Sequence, residues 1–246
     1  MDTLQNILFI DVETVSQHPS IKVLNDHGRY LWQQKIGFLQ RREEREWTEE
    51  DYDQSYKDRA AIYAEFGKVI VISAGFFTQA EDYTYNLRIK SFYGHDEAEV
   101  LSSFVAVLDK KFDDPNLHVL CGHNIREFDI PYLCRRLTIH GLHLPVLFKL
   151  SGKKPWEVKF VLDTLEMWKY GDYKNFTSLD LLAYSLGIPS PKENMDGSKV
   201  GHCYWIESDL EKIRRYCETD VITVAQVYLR MQNMPLLNES NIILTN

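Results

Sequence analysis

The chain has 246 residues, of which 44% are hydrophobic and 26% charged, a balance that suits one large domain or one domain with an insertion. The formal charge of −8 argues against a protein held to nucleic acid by a broad basic face, although bound cations would reverse the sign locally at an enzyme site. The four cysteines lie far apart with no C-x-x-C pair, which argues against a structural zinc site and indicates small core residues.

The first predicted element is a buried strand. Residues 7–10 (ILFI) form a continuous apolar run that leads into residues 11–14 (DVET), as expected of a strand covered on both faces. The N-terminal segment lacks the basic start and small-residue cleavage site of a secretory signal, and no stretch approaches the roughly 20 apolar residues of a membrane span. We therefore expect a cytoplasmic protein.

Residues from about 18 to 65 are polar and charged with interspersed aromatic residues, which predicts a helical insertion. Two strands follow, at residues 68–77 and about 86–93, and their connection suits an antiparallel turn. A D-x-x-E start at Asp96 and apolar residues at helical spacing then predict a helix. A short strand is predicted at residues 117–121.

The second half of the chain predicts one more strand and three helices. Pro131 suits the first turn of a helix, and residues 160–162 predict a fifth strand that ends at Asp163. A short helix is predicted at residues 177–186, and the last helix begins with an S-x-x-E capping box at Ser208. The order of elements predicts an α/β fold with a mixed five-stranded sheet flanked by helices, as a single domain over residues 1–246.

Two acidic residues lie at the end of the first strand. Asp11 and Glu13 are two residues apart, so their side chains point to the same face. Two like charges side by side are costly to bury unless a cation or water compensates them. The pair taken alone favours the simpler interpretation of a solvated strand end.

A third acidic residue, Asp129, lies between a predicted strand and a predicted helix. An aspartate two residues before Pro131 is a natural N-cap, and that is the favoured interpretation of this position alone. A capping carboxylate still has a second oxygen available to a metal ion. The two interpretations are therefore compatible.

The last helix carries a tyrosine and a fourth acidic residue. Tyr216 and Asp220 are four residues apart, so they share one face at the edge of the apolar stripe. Aspartate is unfavourable within a helix, which calls for a partner. The simpler alternative is an ion pair with Lys212, Arg214 or Arg215 on a solvated face.

The four carboxylates together indicate a metal site. Groups from a central strand end, from the start of a helix and from a C-terminal helix can converge on one point. Carboxylate oxygens are ligands that Mg²⁺ and Mn²⁺ prefer. Two such ions about 4 Å apart suit phosphodiester hydrolysis.

Three motifs carry a resemblance to a known family: DVET at residues 11–14, GHNIREFDIPYL at residues 122–133 and YCETDV at residues 216–221. The chain resembles the DEDD exonuclease superfamily in its tyrosine-bearing branch (DEDDy), and most of all the proofreading exonuclease domain of family B DNA polymerases. The resemblance implies a ribonuclease H-like fold and 3′–5′ exonuclease activity. The sequence after the third motif is too short for polymerase domains, so we expect a stand-alone relative.

The resemblance also implies roles for these residues. Asp11, Glu13 and Asp220 would hold the ion that activates water, Asp11 and Asp129 would hold a second ion, and Tyr216 would orient the attacking water. Magnesium or manganese, two ions per active site, is the expected cofactor.

Substrate contacts are implied at three further positions, Thr14, Asn124 and Phe128. For Thr14 the alternative is a hydroxyl that caps a turn, and for Phe128 it is a place in the core. Lys192 is a candidate for a backbone phosphate, with a solvated loop lysine as the alternative.

The expected substrate is the 3′ end of single-stranded or frayed DNA, with nucleoside monophosphates as products. DNA is favoured over RNA, and the sequence identifies no protein partner. The alternatives are an exoribonuclease or oligonucleotide-trimming enzyme with the same site, and an inactive domain of this fold that binds nucleic acid or a protein.

Overall fold

A computed structural model describes residues 4–43, 45–81, 84–172, 174, 176–189 and 195–245. Its strands form one mixed sheet in the order β5-β4-β1-β2-β3-β6. The strands are β1 (Ile7–Ser16), β2 (Gly67–Gln79), β3 (Tyr85–Tyr93), β4 (Val119–Gly122), β5 (Val161–Asp163) and β6 (Ile242–Thr245). The five predicted strands are present. The sixth, β6, pairs in parallel with β3 at the sheet edge and was not predicted, because four residues are too few for a periodic pattern.

Helices cover both faces of this sheet. They are α1 (Asp26–Glu43), α2 (Glu49–Arg59), α3 (Glu97–Lys111), α4 (Asp129–Ile139), α5 (Thr164–Lys169), α6 (Leu179–Ser185), α7 (Val200–His202) and α8 (Leu210–Met231). Helix α7 continues into a π-helical turn at Cys203–Glu207. No helix among the described residues is long and apolar enough to cross a membrane.

Side chains of β1 alternate between two cores. Leu8 and Ile10 pack with residues of α3 and α4, whereas Ile7 and Phe9 pack with residues of α8. This alternation follows from the two-residue repeat of a strand. It makes β1 the central element, because apolar side chains from both layers of helices meet on it.

Residues 18–65, for which the sequence predicts a helical insertion, contain α1 and α2. Trp32, Ile36 and Tyr56 are fully buried between these helices, and the Trp32 indole N–H donates to the Ser55 hydroxyl at 3.0 Å. Burial of several large aromatic side chains gives this segment a small core of its own.

Two predicted helix starts are wrong in detail. The N-cap of α8 is Asp209, whose carboxylate accepts from the Lys212 backbone N–H at 2.9 Å. Ser208 precedes it in the left-handed conformation, with φ of 56°, and so does not cap the helix. Asp129 is the first residue of α4 and Phe128 is its N-cap, so the predicted capping role of Asp129 is also wrong.

A buried ionic cluster joins α3, α4 and β2. The Glu97 carboxylate accepts from the Arg136 Nε at 2.8 Å, from the His140 Nε2 at 2.8 Å and from the Val69 backbone N–H at 2.7 Å. Arg136 also donates to the Ala64 carbonyl at 2.7 Å. Burial alone would raise the pKa of Glu97, but hydrogen bonds led by Arg136 outweigh it and hold that pKa below its usual value.

Glu97→Gln should lower the free energy of unfolding by about 3–5 kcal/mol at pH 7, because the Arg136 guanidinium is left buried without its counter-charge. The lowered pKa means that the contribution of Glu97 is present above its unfolded value of 4.5 and is lost as the pH falls through the folded value. Urea unfolding at pH 7, and between roughly pH 5 and pH 3, measures both effects.

Glu99→Gln is the matched control, since Glu99 lies exposed on the same helix. It should change the free energy of unfolding by no more than about 0.5 kcal/mol. Equal effects of the two substitutions would contradict a structural role for the cluster.

Candidate active site

The first two acidic side chains emerge where β1 passes the end of β4. Pairing with β4 stops at Phe9, whereas pairing with β2 continues to Ser16. Asp11 and Glu13 therefore lie on the part of β1 whose β4 side has no pairing strand. They point to the same face as Ile7 and Phe9, toward α8. Glu13 is buried and Asp11 is half-buried.

A glycine at the end of β4 allows the following loop to close against β1. A Cβ on Gly122 would lie 2.8 Å from the Ile125 Cβ and 3.1 Å from the Ile10 carbonyl oxygen. Contacts this short leave no space for a side chain. The absence of one lets the loop that leads into α4 pass directly beside Asp11.

Helix α8 approaches the sheet closely at a second glycine. A Cβ on Gly75 of β2 would lie 2.9 Å from the Val221 Cγ1, so the close packing of α8 depends on glycine there. One turn earlier, the Cys217 thiol donates to the Asp11 Oδ2 at 3.2 Å. Tyr216 and Asp220 flank Cys217 on this helix and are thereby brought to the acidic pair.

Asp129 reaches the same point from α4. Its carboxylate accepts from the Val12 backbone N–H, between Asp11 and Glu13 in the sequence. Its side chain is buried. The first residue of α4 thus lies against the open edge of β1.

The four carboxylates raise one another's pKa. Burial is the largest cause at each of them, and the charge of Asp129 adds to it at Asp11, which reaches a pKa of about 7. Burial together with Asp163 and Asp220 raises the pKa of Asp129 to about 7, and burial together with Asp11 raises that of Asp220 to about 8. Interactions of this strength require short separations.

The pKa of Glu13 rises well above its usual value for the same reasons. Burial is the largest cause, followed by the charges of Asp11, Asp220 and Asp129. Glu13 therefore responds to all three other carboxylates, which identifies one shared acidic site.

No lysine or arginine within the described ranges forms an ion pair with these four carboxylates. Arg214 pairs with Glu211 and Glu218, and Lys212 pairs with Glu207. The solvated ion pair considered for Asp220 is therefore absent in the case of Lys212 and Arg214. Several negative charges held together without a basic partner are unfavourable unless a cation compensates them.

The donor set fits a hard divalent cation. Carboxylate oxygens of Asp11 and Glu13 and the Cys217 sulfur lie within 4.8 Å of one another in the part of the chain that the structure describes. The sulfur belongs to a neutral thiol, because burial and the nearby Asp11 raise the pKa of Cys217 well above its usual value. Oxygen ligands from the four carboxylates, rather than this thiol, match the preference of magnesium and manganese.

Tyr216 hydrogen-bonds to Asp220 and remains protonated. Burial, and then the charges of Asp220, Glu13 and Asp11, raise the pKa of the Tyr216 phenol far above its usual value. A phenol in this state donates a hydrogen bond and does not act as a base at neutral pH.

Thr14 does not join the acidic side chains. Its hydroxyl donates to the Ala61 carbonyl at 2.9 Å, and its position in β1 points it to the face opposite that of Glu13. Phe128 packs against Tyr132 with ring centroids 5.4 Å apart and borders the α3 and α4 core, so a large part of this ring is structural.

Asn124 lies in the loop between β4 and α4, held in a left-handed conformation with φ of 60°. Asp163 fixes this loop by accepting from the backbone N–H groups of Asn124 at 2.9 Å and Arg126 at 3.1 Å. Asp163 also caps α5, so the same carboxylate supports this loop and starts that helix. Lys192 lies outside the described residues.

Two further residues, Cys217 and Asp180, lie near the site although the sequence analysis does not place them there. Cys217 is a core residue as expected, but it also contacts Asp11 directly; its place on the apolar stripe next to Tyr216 is the signal that was available. Asp180 at the start of α6 lies close enough to Asp220 to raise its pKa. Only the packing of α6 against α8 reveals that proximity.

Comparisons with known proteins agree with this architecture. Residues 62–239 match the model of a family described as "Predicted 3'-5' exonuclease related to the exonuclease domain of PolB". The chain is similar in structure to the family B DNA polymerase from the hyperthermophilic archaeon Pyrobaculum calidifontis, with a TM-score of 0.52 and 17% sequence identity. That match covers 96% of this chain and 26% of the polymerase, so this chain spans about a quarter of that protein.

The comparison with curated proteins gives no match. The structural similarity shows a fold like that of the polymerase exonuclease domain, in agreement with the predicted ribonuclease H-like fold. The matched family segment contains the positions of Asp129, Tyr216 and Asp220 and begins after those of Asp11 and Glu13. Because the family model covers well over half of the chain, the chain belongs to the family of predicted 3′–5′ exonucleases related to the exonuclease domain of PolB.

Proposed function

We propose that this chain is a metal-dependent exonuclease that hydrolyses phosphodiester bonds from the 3′ end of single-stranded or frayed DNA and releases nucleoside monophosphates. Family membership supports a nuclease acting on nucleic acid. The observation that carries the proposal is the convergence of carboxylates from β1, α4 and α8: Asp11 and Glu13 lie together beside Cys217 of α8, and the charges of Asp129 and Asp220 are near enough to raise the pKa of Glu13.

In this proposal Asp11, Glu13, Asp129 and Asp220 hold two divalent cations. Such ions supply a water nucleophile at neutral pH and stabilise the charge that develops on the leaving oxygen. The protein's own contribution is to keep the four carboxylates together at the open edge of β1. No basic side chain among the described residues competes with a cation for them.

Tyr216 is assigned a positioning role. Its phenol stays protonated beside Asp220 and cannot remove a proton at neutral pH; in the proposal its one O–H, which Asp220 accepts here, turns to a water or a phosphate oxygen when substrate is bound. Asn124 lies on the loop that leads to Asp129 and Phe128 is the N-cap before it, and the exposed edges of both side chains are proposed to contact the terminal nucleotide. Thr14 is left out of this set because its hydroxyl is used by Ala61.

Asp11→Asn and Asp220→Asn should each lower turnover by roughly 10²-fold or more, because each removes a negatively charged ligand from the site. The measurement is release of mononucleotides from 3′-labelled and 5′-labelled DNA strands, and from the matching RNA strand, with Mg²⁺ or Mn²⁺. Label at the 3′ end should appear first as mononucleotide, and EDTA should abolish its release.

Glu211→Gln is the control for these substitutions, because Glu211 is an exposed carboxylate on the same helix as Asp220. It should retain wild-type turnover. Activity that persists in EDTA, or in both aspartate variants, would refute the proposal; faster hydrolysis of RNA than of DNA would replace the substrate assignment.

Tyr216→Phe should lower kcat by roughly 10- to 100-fold while leaving metal affinity within a few-fold of wild type, because only an orienting hydroxyl is removed. Single-turnover rates and Mn²⁺ titration separate the two quantities. Unchanged turnover would contradict the role assigned to this hydroxyl. If Mn²⁺ affinity fell by the same factor as kcat, the hydroxyl would instead serve to hold a metal ligand in place.

At pH 7, Asp220→Asn should stabilise the metal-free protein by about 1–2 kcal/mol, or roughly 2–8 °C in Tm, because folding forces the Asp220 carboxylate either to take up a proton or to remain charged beside Asp11, and asparagine removes that cost. Wild-type Tm should rise on addition of Mn²⁺, and that rise should be much smaller in the variant. Thermal unfolding in EDTA and in Mn²⁺ measures both. A variant less stable than wild type in EDTA would show that repulsion is not the dominant interaction at this site.

A further inference from the structure

We infer that the exposed rings of Phe176 and Tyr184 form a stacking surface for the bases of the single strand that leads away from the acidic site. The inference rests on the proposed function and extends it to the part of the substrate beyond the scissile nucleotide. These two residues are called the rim aromatics below. Phe176 is 70% exposed and Tyr184 is 82% exposed, so both side chains are open to solvent.

Phe176 is anchored beside the loop that carries Asn124. The neighbouring Thr177 carbonyl accepts a hydrogen bond of 2.9 Å from the His123 Nε2, and His123 directly follows β4. Burial lowers the pKa of His123, so its ring is a neutral structural group here. The segment at Phe176 is thereby tied to the same loop that leads to Asp129, while its ring stays in solvent.

Tyr184 is placed by α6. Leu182 and Ala183 are buried against Val227 of α8, which fixes the orientation of α6. Leu179, at the start of α6, packs against the cluster that contains Val221, the residue after Asp220. Tyr184 follows Leu179 by five residues on this short helix, so its exposed ring lies within about two helical turns of that contact.

The chemistry of this surface suits nucleic-acid bases. Every base presents a π face, and aromatic side chains bind single strands through stacking without reading their sequence. A chain with a formal charge of −8 is poorly suited to hold a strand by neutralising its phosphates. Stacking on the rim aromatics supplies affinity that does not depend on a basic face.

Phe176→Leu and Tyr184→Ala should each weaken binding of a fluorescently labelled ten-nucleotide thymidine strand roughly 5- to 100-fold. Anisotropy in EDTA measures this binding without hydrolysis. In Mg²⁺, KM for the same strand should rise by a similar factor, while kcat stays within about twofold. The salt dependence of binding should be shallow, with few counterions released.

The p-nitrophenyl ester of thymidine 5′-monophosphate is the short-substrate control, because it occupies only the scissile position. Its hydrolysis should be unchanged in both rim variants and lost in Asp220→Asn. Tyr184→Phe, which keeps the ring, should bind the strand like wild type. Tyr30→Ala removes an exposed tyrosine of α1 and should also leave strand binding unchanged.

Unchanged strand binding in both Phe176→Leu and Tyr184→Ala would overturn the inference, even if the enzyme hydrolyses DNA as proposed. Loss of ester hydrolysis in these variants would also overturn it, because the residues would then support the acidic site itself. If the wild-type protein hydrolyses neither substrate, the proposed function is wrong. The measurement of strand binding in EDTA then still tests the inference about the rim aromatics. An apolar protein-docking surface would be indicated instead by variants that bind the strand normally.

Discussion

Mutual repulsion among four carboxylates, of which Glu13 and Asp129 are buried and Asp11 and Asp220 half-buried, is the constraint on which the rest of this structure depends. Asp11, Glu13, Asp129 and Asp220 lie in one site, and no described lysine or arginine pairs with them. Such an arrangement weakens the fold unless cations occupy it. The surrounding framework must therefore hold together charges that would otherwise separate, and its packing is best understood as the means of doing so.

The framework holds the acidic groups together through a few places where backbone segments and helices pack closely. The early end of β4 opens one side of β1, and Gly122 lets the loop before α4 lie against that opening. Gly75 lets α8 pack directly on the sheet, so that its polar edge meets the strand. The buried pair of Glu97 and Arg136 fixes α3 to α4 on the other face. Each of these contacts restricts which residues can occupy its position, and each makes the surroundings of the acidic groups more rigid.

The sequence predicts the strands, the main helices and the order of the acidic motifs, because these depend on local periodicity and on residue type. It fails where distant segments decide the outcome. Asp180 and the thiol of Cys217 reach the site only through helix packing, which no local pattern encodes. For Thr14, the two-residue repeat of β1 directs the side chain to the face opposite Glu13, where its hydroxyl donates to the Ala61 carbonyl.

The most direct test of the account is a diffraction experiment on crystals soaked with Mn²⁺ and thymidine 5′-monophosphate. Anomalous scattering locates the manganese ions independently of any assumed ligands. We expect two ions about 4 Å apart, coordinated by the carboxylates at positions 11, 13, 129 and 220. Absence of manganese at this site, or a side chain at position 220 directed away from the other three, would contradict it.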